Sequence, residues 1–318
     1  MATIRKTPSG EYQAIVRLKS INKSKVFKLK SDANRWANQI ETEIEQGIFI
    51  DKTKAENTLL REVCERYCLD VLPKLKGAAS DQSRINLISE RIGNNSLIQI
   101  NSVFLANFRD ELHDDDYSDQ SVIHFINMVS RLFKFASDEL GLPVSIPYVR
   151  KPKKPNGRHQ RVTDDEIKAI IDASESPDLK SIIAFAVETA ARRSEISGMI
   201  WANVNYPTVL LVDTKNGENR TVPLSEKAVA ILKSLPRNIG GKVFRITSDS
   251  ITQAFDRARD RCNLGHIRFH DLRHEAISRL AKRVPNVIEL SAISGHKDLQ
   301  TLGRYYHTDP LELAKKLG

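Results

Sequence analysis

The sequence has few cysteines, no long apolar run and no leader-like start, and each absence narrows the class of protein. Three cysteines among 318 residues are too few for a disulfide framework, which favours a reducing compartment. The longest apolar run, at 182–187, ends at Glu188 and falls short of the roughly 18 residues of a membrane span. The first twelve residues contain two cations but no apolar segment typical of a secretory signal. We expect a cytoplasmic protein with no membrane role.

Metal-ligand spacing is also missing around the cysteines. Cys64 and Cys68 are four residues apart on a helical pattern, but no His or further Cys stands near them at the spacing of a metal site. They are expected to be buried thiols. The chain has no internal repeat and no low-complexity segment, and nothing in it predicts a cofactor or a structural metal.

The charge of the chain and its distribution indicate a polyanionic partner. The sequence has 49 lysines and arginines against 40 aspartates and glutamates, a formal net charge of +9. Residues 1–30 contain eight cations and one acid, and residues 150–161 contain six cations and no acid. These blocks are either solvated charged segments or contacts to a DNA backbone. The predicted phosphate contacts are Arg5, Lys6, Arg17, Lys19, Lys28, Lys151, Lys153 and Lys154.

Length and periodicity predict two smaller domains in the first half of the chain. Apolar residues alternate over 12–18, and a helical pattern follows the Ser31-Asp32 cap, so residues 1–50 should form three strands and a helix. The predicted turns of this sheet lie at 8–10 and 22–24, and its third strand at 26–29. After a polar linker at 50–57, residues 58–148 form an all-helical domain with helices at 58–71, 80–92, 101–112 and 118–139.

A proline-rich basic linker at 149–161 precedes a third domain, residues 162–318. The run Thr163-Asp164-Asp165-Glu166 is a capping box that begins a helix. Strands at 208–214 and 220–224 flank Asn216-Gly217, a hairpin turn signal. Further helices are predicted at 225–234, 250–262, 270–283 and 285–293. The fold class is therefore mainly α with small β-sheets, an α+β multidomain protein.

Five short motifs in the third domain occur in a characteristic order over some 115 residues. They are Thr189-Ala190-Ala191-Arg192-Arg193-Ser194-Glu195, Thr214-Lys215-Asn216-Gly217, Phe269-His270-Asp271-Leu272-Arg273-His274, Ser294-Gly295-His296 and Arg304-Tyr305-Tyr306-His307. Together they resemble the arginine, lysine, His-x-x-Arg, Gly-His and nucleophile motifs of the tyrosine recombinases, the phage integrase family. The runs 270–278 and 292–296 look most like the shufflon-type invertases and their integrase relatives.

The resemblance implies a fold and a domain plan. Residues 162–318 would be a mixed α/β catalytic domain of the tyrosine recombinase type, and residues 58–148 a core-binding domain. Residues 1–50 look like the arm-type DNA-binding domain that many integrases carry, and their basic sheet could lie in a DNA groove. The tail 308–318 contains Leu311, Leu313 and Leu317 on an amphipathic pattern. It is predicted to pack on a neighbouring protomer or on its own domain.

The matched residues suit the metal-free cleavage of a phosphodiester. Arg192 and Arg273 can hold both non-bridging oxygens with forked donors while the transition state gains charge. Tyr305 would attack phosphorus, and its phenol, with a reference pKa near 10, must lose a proton as it does so. Lys215, on the predicted hairpin, would protonate the departing 5′-oxygen.

Three other residues complete the predicted site. His270 and His296 would hydrogen-bond the phosphate, and the resemblance gives His270 the proton transfer toward the tyrosine. Glu195, three residues after Arg192, would orient the pocket rather than react. Tyr306 competes with Tyr305, but only Tyr305 fits the Arg-Tyr-x-His register of the family.

Simpler interpretations accompany these assignments. Arg193 points away from Arg192 and should be a surface cation. His270 and His274 could form a zinc pair, but no third ligand is spaced to complete it. The chain has Ala190 where the family usually has glycine, and Ser294 where it usually has leucine. Both are changes near the backbone that leave the catalytic side chains intact.

The predicted function is a site-specific DNA recombinase that acts in integration, excision or inversion of a mobile element. Family membership implies a 3′-phosphotyrosyl intermediate, a homotetramer on two double-stranded DNA sites, and exchange through a Holliday junction. A directionality factor or a DNA-bending protein could assist it, in a prokaryotic or phage-encoded, nucleoid-associated setting. The alternatives are a type IB topoisomerase and a DNA-binding regulator with a vestigial catalytic site.

Overall fold

The chain folds into two compact units, which are Met1–Asn156 and Gly157–Gly318. Their boundary falls inside the predicted linker 149–161. The computed structural model describes residues 2–19, 21–75, 77–155, 157–158, 160–212, 219–237, 240–306, 314 and 317. Helices predominate and the strands form two small antiparallel sheets, so the predicted fold class is confirmed.

The first unit begins with a three-stranded sheet covered by one helix, as predicted. Its elements are β1 Ala2–Lys6, β2 Tyr12–Leu18, β3 Ile21–Phe27 and α1 Lys30–Glu45. The strands lie in the order β1-β2-β3. Ala14 and Val16, on one face of the central strand, are buried against Ala33, Ala37 and Ile44. The alternation of apolar residues over 12–18 therefore forms one side of this small core.

The predicted turn at residues 22–24 is wrong. Leu18 pairs with Ile21, so the chain reverses between these two residues, and Lys19 has a positive φ of 47°. Residues 22–24 pair with β2 instead. Asn22, Lys23 and Ser24 resemble a turn because β3 is an edge strand with little buried surface, and an edge strand tolerates polar residues that a central strand does not.

The rest of the first unit is helical. Its helices are α2 Thr53–Asn57, α3 Leu60–Asp70, α4 Ala78–Ile92, α5 Ser102–Asp114 and α6 Asp119–Asp138. The short α2 lies in the segment predicted as a linker. Helices α3 to α6 enclose a core separate from that of the sheet. Cys64 is buried as expected, whereas Cys68 is only half-buried.

The second unit surrounds one helix, α8, with further helices and a small sheet. Its elements are α7 Asp164–Asp172, α8 Pro177–Thr189, α9 Arg193–Ser197, β4 Val204–Asn205, β5 Thr208–Leu211, β6 Arg220–Pro223, α10 Glu226–Ser234, α11 Ser248–Arg261, α12 Phe269–Arg283, α13 Val287–Ser294 and α14 Leu299–Gly303. The apolar side of α8, with Ile182, Ile183 and Phe185, is fully buried. Among the described helices none is long and apolar enough to cross a bilayer.

Capping explains where two of these helices begin. Thr163 Oγ1 accepts from the Glu166 amide at 3.2 Å, and Glu166 accepts from the Thr163 amide at 2.8 Å, so the predicted capping box is confirmed. Helix α12 begins where Asp271 accepts from the Arg268 amide at 2.8 Å. That second cap fixes the register of the helix that carries His270, Arg273 and His274.

Candidate active site

A left-handed residue at the end of α8 places the first predicted arginine. Ala190 has φ 53° and is fully buried. It terminates α8, and the chain continues through Arg192 in an extended conformation before α9 begins at Arg193. Because the helix stops here, the Ala190 carbonyl is free to accept a hydrogen bond from a distant residue.

That donor is Arg273, which lies on α12 and is 4% exposed. Its guanidinium donates to the Ala190 carbonyl and, at 2.6 Å, to the Ser294 carbonyl. Burial, together with the neighbouring Arg192 charge, lowers the pKa of Arg273 to about 9. The guanidinium therefore stays charged at neutral pH and is held between the ends of α8 and α13.

Arg192 is fixed by a carboxylate that also binds a third arginine. Glu195 accepts from the Arg192 backbone amide and from its guanidinium, both at 2.8 Å. It also accepts two hydrogen bonds from Arg220, at 2.6 and 2.9 Å. Burial alone would raise the pKa of Glu195, but these bonds to Arg220 and Arg192 outweigh it and lower the pKa to about 2. The carboxylate is thus a permanent anion that orients two cations.

Two features favour glycine at position 295 of the Gly-His motif, its backbone conformation and the close approach of a neighbouring side chain. Gly295 has φ +69°, and a Cβ there would lie 2.9 Å from the Arg220 guanidinium. Its carbonyl accepts from Arg192 at 3.0 Å. The following residue, His296, contacts Ser294 Oγ through Nδ1 at 2.8 Å. Burial, followed by the charges of Arg273 and Arg192, lowers the pKa of His296 to about 4, so the ring is neutral at pH 7.

Tyr305 follows α14 and faces a histidine and an arginine. Its hydroxyl is in hydrogen-bond contact with His274 Nδ1 and accepts from Arg304 at 3.3 Å. The Arg304 guanidinium also lies over the Tyr305 ring, 5.1 Å from its centroid. Burial raises the pKa of Tyr305, although the Arg304 charge opposes this. The Tyr306 hydroxyl donates to the Val284 carbonyl at 2.9 Å, which supports the choice of Tyr305 over its neighbour.

The structure brings together five of the seven predicted active-site residues. Arg192, Glu195 and Tyr305 each contribute to the electrostatic environment of Arg273, and Arg192 and Arg273 to that of His296. The other two predicted residues are His270 and Lys215.

His270 is exposed at the start of α12, with its ring centroid 5.0 Å from that of His274. Lys215 lies outside the described residues, as do Leu311 and Leu313 of the tail. The described part of the chain contains no group of three His, Cys, Asp or Glu residues that could hold a metal ion.

Sequence reasoning missed three residues of this site. Arg220 stands five residues after Lys215 with no motif of its own, and only the pairing of Leu211 with Arg220 brings it to the end of the sheet. His274 was considered only as a zinc ligand. Arg304 was part of the nucleophile motif but received no role. The partners that give the first two their places are distant in sequence: Glu195 lies 25 residues from Arg220, and Tyr305 lies 31 residues from His274. Local spacing in the sequence does not reveal such contacts.

The predicted DNA contacts are all exposed, but two cations of the predicted linker form ion pairs within the second unit. Arg158 binds Asp271 through two nitrogens, at 2.8 and 2.9 Å, and Arg161 binds Glu275 at 2.7 Å. The basic block 150–161 is therefore not a uniform DNA-binding segment. Lys151, Lys153 and Lys154 remain exposed.

Comparison with known proteins identifies the family. Residues 160–312 match the phage integrase family. A Haemophilus influenzae protein classed as an integrase/recombinase is 34% identical over 312 residues, which cover 92% of this chain and all of the relative. The shufflon-specific DNA recombinase of Escherichia coli is 33% identical over 81% of this chain and 71% of its own length. The fold matches a lambda integrase tetramer bound to a Holliday junction, with a TM-score of 0.68, 19% identity and 97% coverage of both chains.

These matches and the arginine–tyrosine site define a tyrosine-type site-specific recombinase. The chain belongs to the phage integrase family. The resemblance to shufflon-type recombinases expected from residues 270–278 and 292–296 is confirmed by the similarity to the Escherichia coli protein.

Proposed function

We propose that this recombinase cuts and rejoins DNA through a 3′-phosphotyrosyl intermediate with Tyr305 as the nucleophile. The observation that carries the proposal is the convergence of Tyr305 with Arg192, Arg273 and His296 from separate elements. Such a cluster supplies a nucleophile and fixed positive charge, which a metal-independent attack on a phosphodiester needs.

The reaction is a direct exchange of phosphate esters. The Tyr305 oxygen forms a bond to phosphorus, the bond from phosphorus to the 5′-oxygen breaks, and a free 5′-hydroxyl leaves. Arg192 and Arg273 would bind the non-bridging oxygens, with His296 completing the hydrogen bonds. Lys215, assigned from its motif, would give the 5′-oxygen its proton. Because the phosphotyrosyl link retains the ester energy, rejoining needs no ATP.

The electrostatics of the site support this division of roles. Arg273 remains charged at neutral pH with a pKa of about 9, since burial lowers it without bringing it near 7. Tyr305 remains protonated because burial raises its pKa. The nucleophile must therefore lose its proton during the attack, when an arginine-bound phosphate is next to it.

The relatives support the oligomeric assembly and the strand exchange that we propose for this chain. The lambda integrase seen as a tetramer on a Holliday junction shares this fold, and we propose the same assembly and strand exchange here, inside a bacterial cell. The predicted division into domains 1–50, 58–148 and 162–318 is retained as part of the proposal. The separate cores of the first unit support it. Integration, excision and inversion, and a requirement for an accessory DNA-bending or directionality factor, all fit this scheme.

The test uses nicked duplexes from the DNA flanking the gene of this chain, because integrases commonly act beside their own gene. Wild-type protein and the Tyr305→Phe variant are incubated with them in EDTA, and denaturing gels report a covalent adduct. We expect an adduct from the wild type only.

Each other result contradicts a specific part of the proposal. An adduct that survives Tyr305→Phe would move the nucleophile to Tyr306. Specific binding without any adduct would favour a DNA-binding regulator. Relaxation of a supercoiled plasmid without exchange between two sites would favour a type IB topoisomerase.

A further inference from the structure

The predicted nucleophile is in contact with His274, a histidine to which the family resemblance gave no role. His274 lies one helical turn after His270 on α12, and its Nδ1 is in hydrogen-bond contact with the Tyr305 hydroxyl. The two rings are nearly parallel, 24° apart, with centroids separated by 6.1 Å. His270, to which the resemblance gives the proton transfer, is exposed and borders His274 edge-on.

We propose that His274 is the base that takes the hydroxyl proton of Tyr305 when its oxygen attacks phosphorus. This inference rests on the proposed phosphotyrosyl chemistry. The proton passes from the phenol oxygen to His274 Nδ1 as the bond from oxygen to phosphorus forms and the bond to the 5′-oxygen breaks. On rejoining, the imidazolium returns the same proton to Tyr305, so the residue is restored after each cycle.

The hydrogen-bond partners of the Tyr305 oxygen favour transfer of its proton toward His274. Arg304 can only donate, and it donates to the Tyr305 oxygen at 3.3 Å. Among the described residues, His274 is the other hydrogen-bond partner of that oxygen. The transfer that we propose uses the tautomer of His274 that carries its hydrogen on Nε2, in which Nδ1 accepts from the Tyr305 hydroxyl.

His274 is in the protonation state that a base requires. Burial, followed by the nearby His270 and Arg304 charges, lowers the pKa of His274 to about 4, so the ring is neutral at pH 7. The titratable and charged groups around it are His270, Asp271 and Arg273 on its own helix, His296 after α13, Arg304 and Tyr305 after α14, and Arg158 and Arg161 before α7.

Substrate binding would strengthen this base. In the proposed reaction a bound phosphodiester places a negative charge beside Arg192 and Arg273, and the Arg273 charge is among those that lower the pKa of His274 in the free protein. Compensating those charges raises that pKa toward its ordinary value. His274 would thus be a weak base without DNA and a stronger one when a phosphate is bound.

The experiment separates a base from a residue that only positions Tyr305. The asparagine of His274→Asn keeps an amide oxygen near the position of Nδ1 but cannot take a proton. Single-turnover adduct formation on the nicked duplex should slow by about 100-fold or more, the usual effect of losing a general base. Replacing Tyr305 by 3,5-difluorotyrosine, whose phenol is more acidic, should recover at least about tenfold in His274→Asn and little in the wild type.

A second substrate distinguishes base from acid. A duplex with a bridging 5′-sulfur releases a thiolate, which needs no protonation. It should rescue Lys215→Ala and leave His274→Asn slow. Three results would overturn the proposal: a wild-type rate in His274→Asn, no rescue by difluorotyrosine, or rescue by the 5′-sulfur. If wild-type protein binds the duplex but forms no adduct, the proposed function fails instead, before His274 is tested.

Discussion

Ala190 and Gly295 both adopt the left-handed backbone conformation, yet only one of them is glycine. At Gly295 a side chain would collide with Arg220. At Ala190 the methyl group is buried without such a clash, and the cost is conformational strain of about 1–2 kcal/mol. This difference explains why the chain tolerates alanine at the one position where it departs from the family in its first motif.

Ala190→Gly should therefore change the free energy of unfolding much less than the same substitution at a buried alanine inside the helix. Ala186, also buried and on the same helix, is the matched control. Ala186→Gly should lower the free energy of unfolding by about 2 kcal/mol, from lost helix propensity and one lost methyl. In Ala190→Gly the relief of strain offsets most of the loss, so the change should lie within about 1 kcal/mol of zero. Urea unfolding followed by fluorescence measures both, and an equal loss in the two variants would contradict this account.

Glu195 should make the stability of the catalytic unit pH-dependent. Its pKa is lowered from 4.5 to about 2 in the folded chain, since Arg220 and Arg192 outweigh the effect of burial. As the pH falls, Glu195 therefore takes up a proton in the unfolded chain before it does so in the folded chain. The stability that the ionised carboxylate gives the fold above pH 4.5 is lost as the pH falls toward 2. That contribution is on the order of 3 kcal/mol.

Glu195→Gln should remove this part of the acid sensitivity. In a Trp36→Phe background, Trp201 reports unfolding of the second unit alone, because the sequence has two tryptophans. The difference in unfolding free energy between this background and the same protein carrying Glu195→Gln should be large at about pH 6 and shrink between about pH 4.5 and 2. A difference that stays constant with pH would show that the carboxylate charge does not stabilise the fold.

At the scale of elements, the segment before α7 holds helix α12, which carries three histidines and arginines of the candidate site. Asp271 is 1% exposed and binds Arg158, while Glu275, one turn later, accepts from Arg161 and Arg279. Both acids alternate along α12 with His270, Arg273 and His274. The position of α12 therefore depends on Arg158 and Arg161, which lie in the segment predicted as a linker.

Arg158→Gln should destabilise the second unit, because it leaves the buried Asp271 carboxylate without its arginine partner. Arg261 is the matched control, because its side chain is 39% exposed and that of Arg158 is 37% exposed. The acids differ: Asp271, the partner of Arg158, is 1% exposed, whereas Glu175, the partner of Arg261, is 80% exposed. We expect a loss of about 2 kcal/mol for Arg158→Gln and below about 1 kcal/mol for Arg261→Gln. Adding Asp271→Asn to Arg158→Gln should recover part of the loss. Equal effects of the two single substitutions in urea unfolding would argue against this role of Arg158.

Most of the elements could be predicted from periodicity and capping, because those signals are local. The capping box at Thr163 and the helix 119–138 are examples. The turn at 22–24 was wrong because an exposed edge strand has no apolar alternation. At the site, spacing identified Arg192, Arg273 and Tyr305, but Arg220 and His274 acquire their roles only through contacts with residues at least 25 positions away.

At the scale of the whole molecule, the positive charge is distributed over surfaces with different roles. In the first unit, Arg5 pairs with Gln13, and both share with Arg17 the face of the sheet opposite the buried Ala14 and Val16. Because α1 covers the other face, this face is open to a ligand. Arg35 is also exposed, but it lies on α1, on the side of the sheet that this helix covers.

Arg5→Gln and Arg17→Gln should each weaken binding to the duplex that forms the adduct. Each should also reduce the steepness with which the logarithm of the binding constant falls with the logarithm of the salt concentration by about 1, because one phosphate contact is lost. Arg35→Gln removes the same charge from the same unit and should leave the slope unchanged. Fluorescence anisotropy at several salt concentrations measures all three. Equal losses in the three variants would mean that net charge, and not the open face of the sheet, attracts DNA. No loss in Arg5→Gln or Arg17→Gln would exclude this face from the interface and leave Lys151, Lys153 and Lys154 as the cations to test.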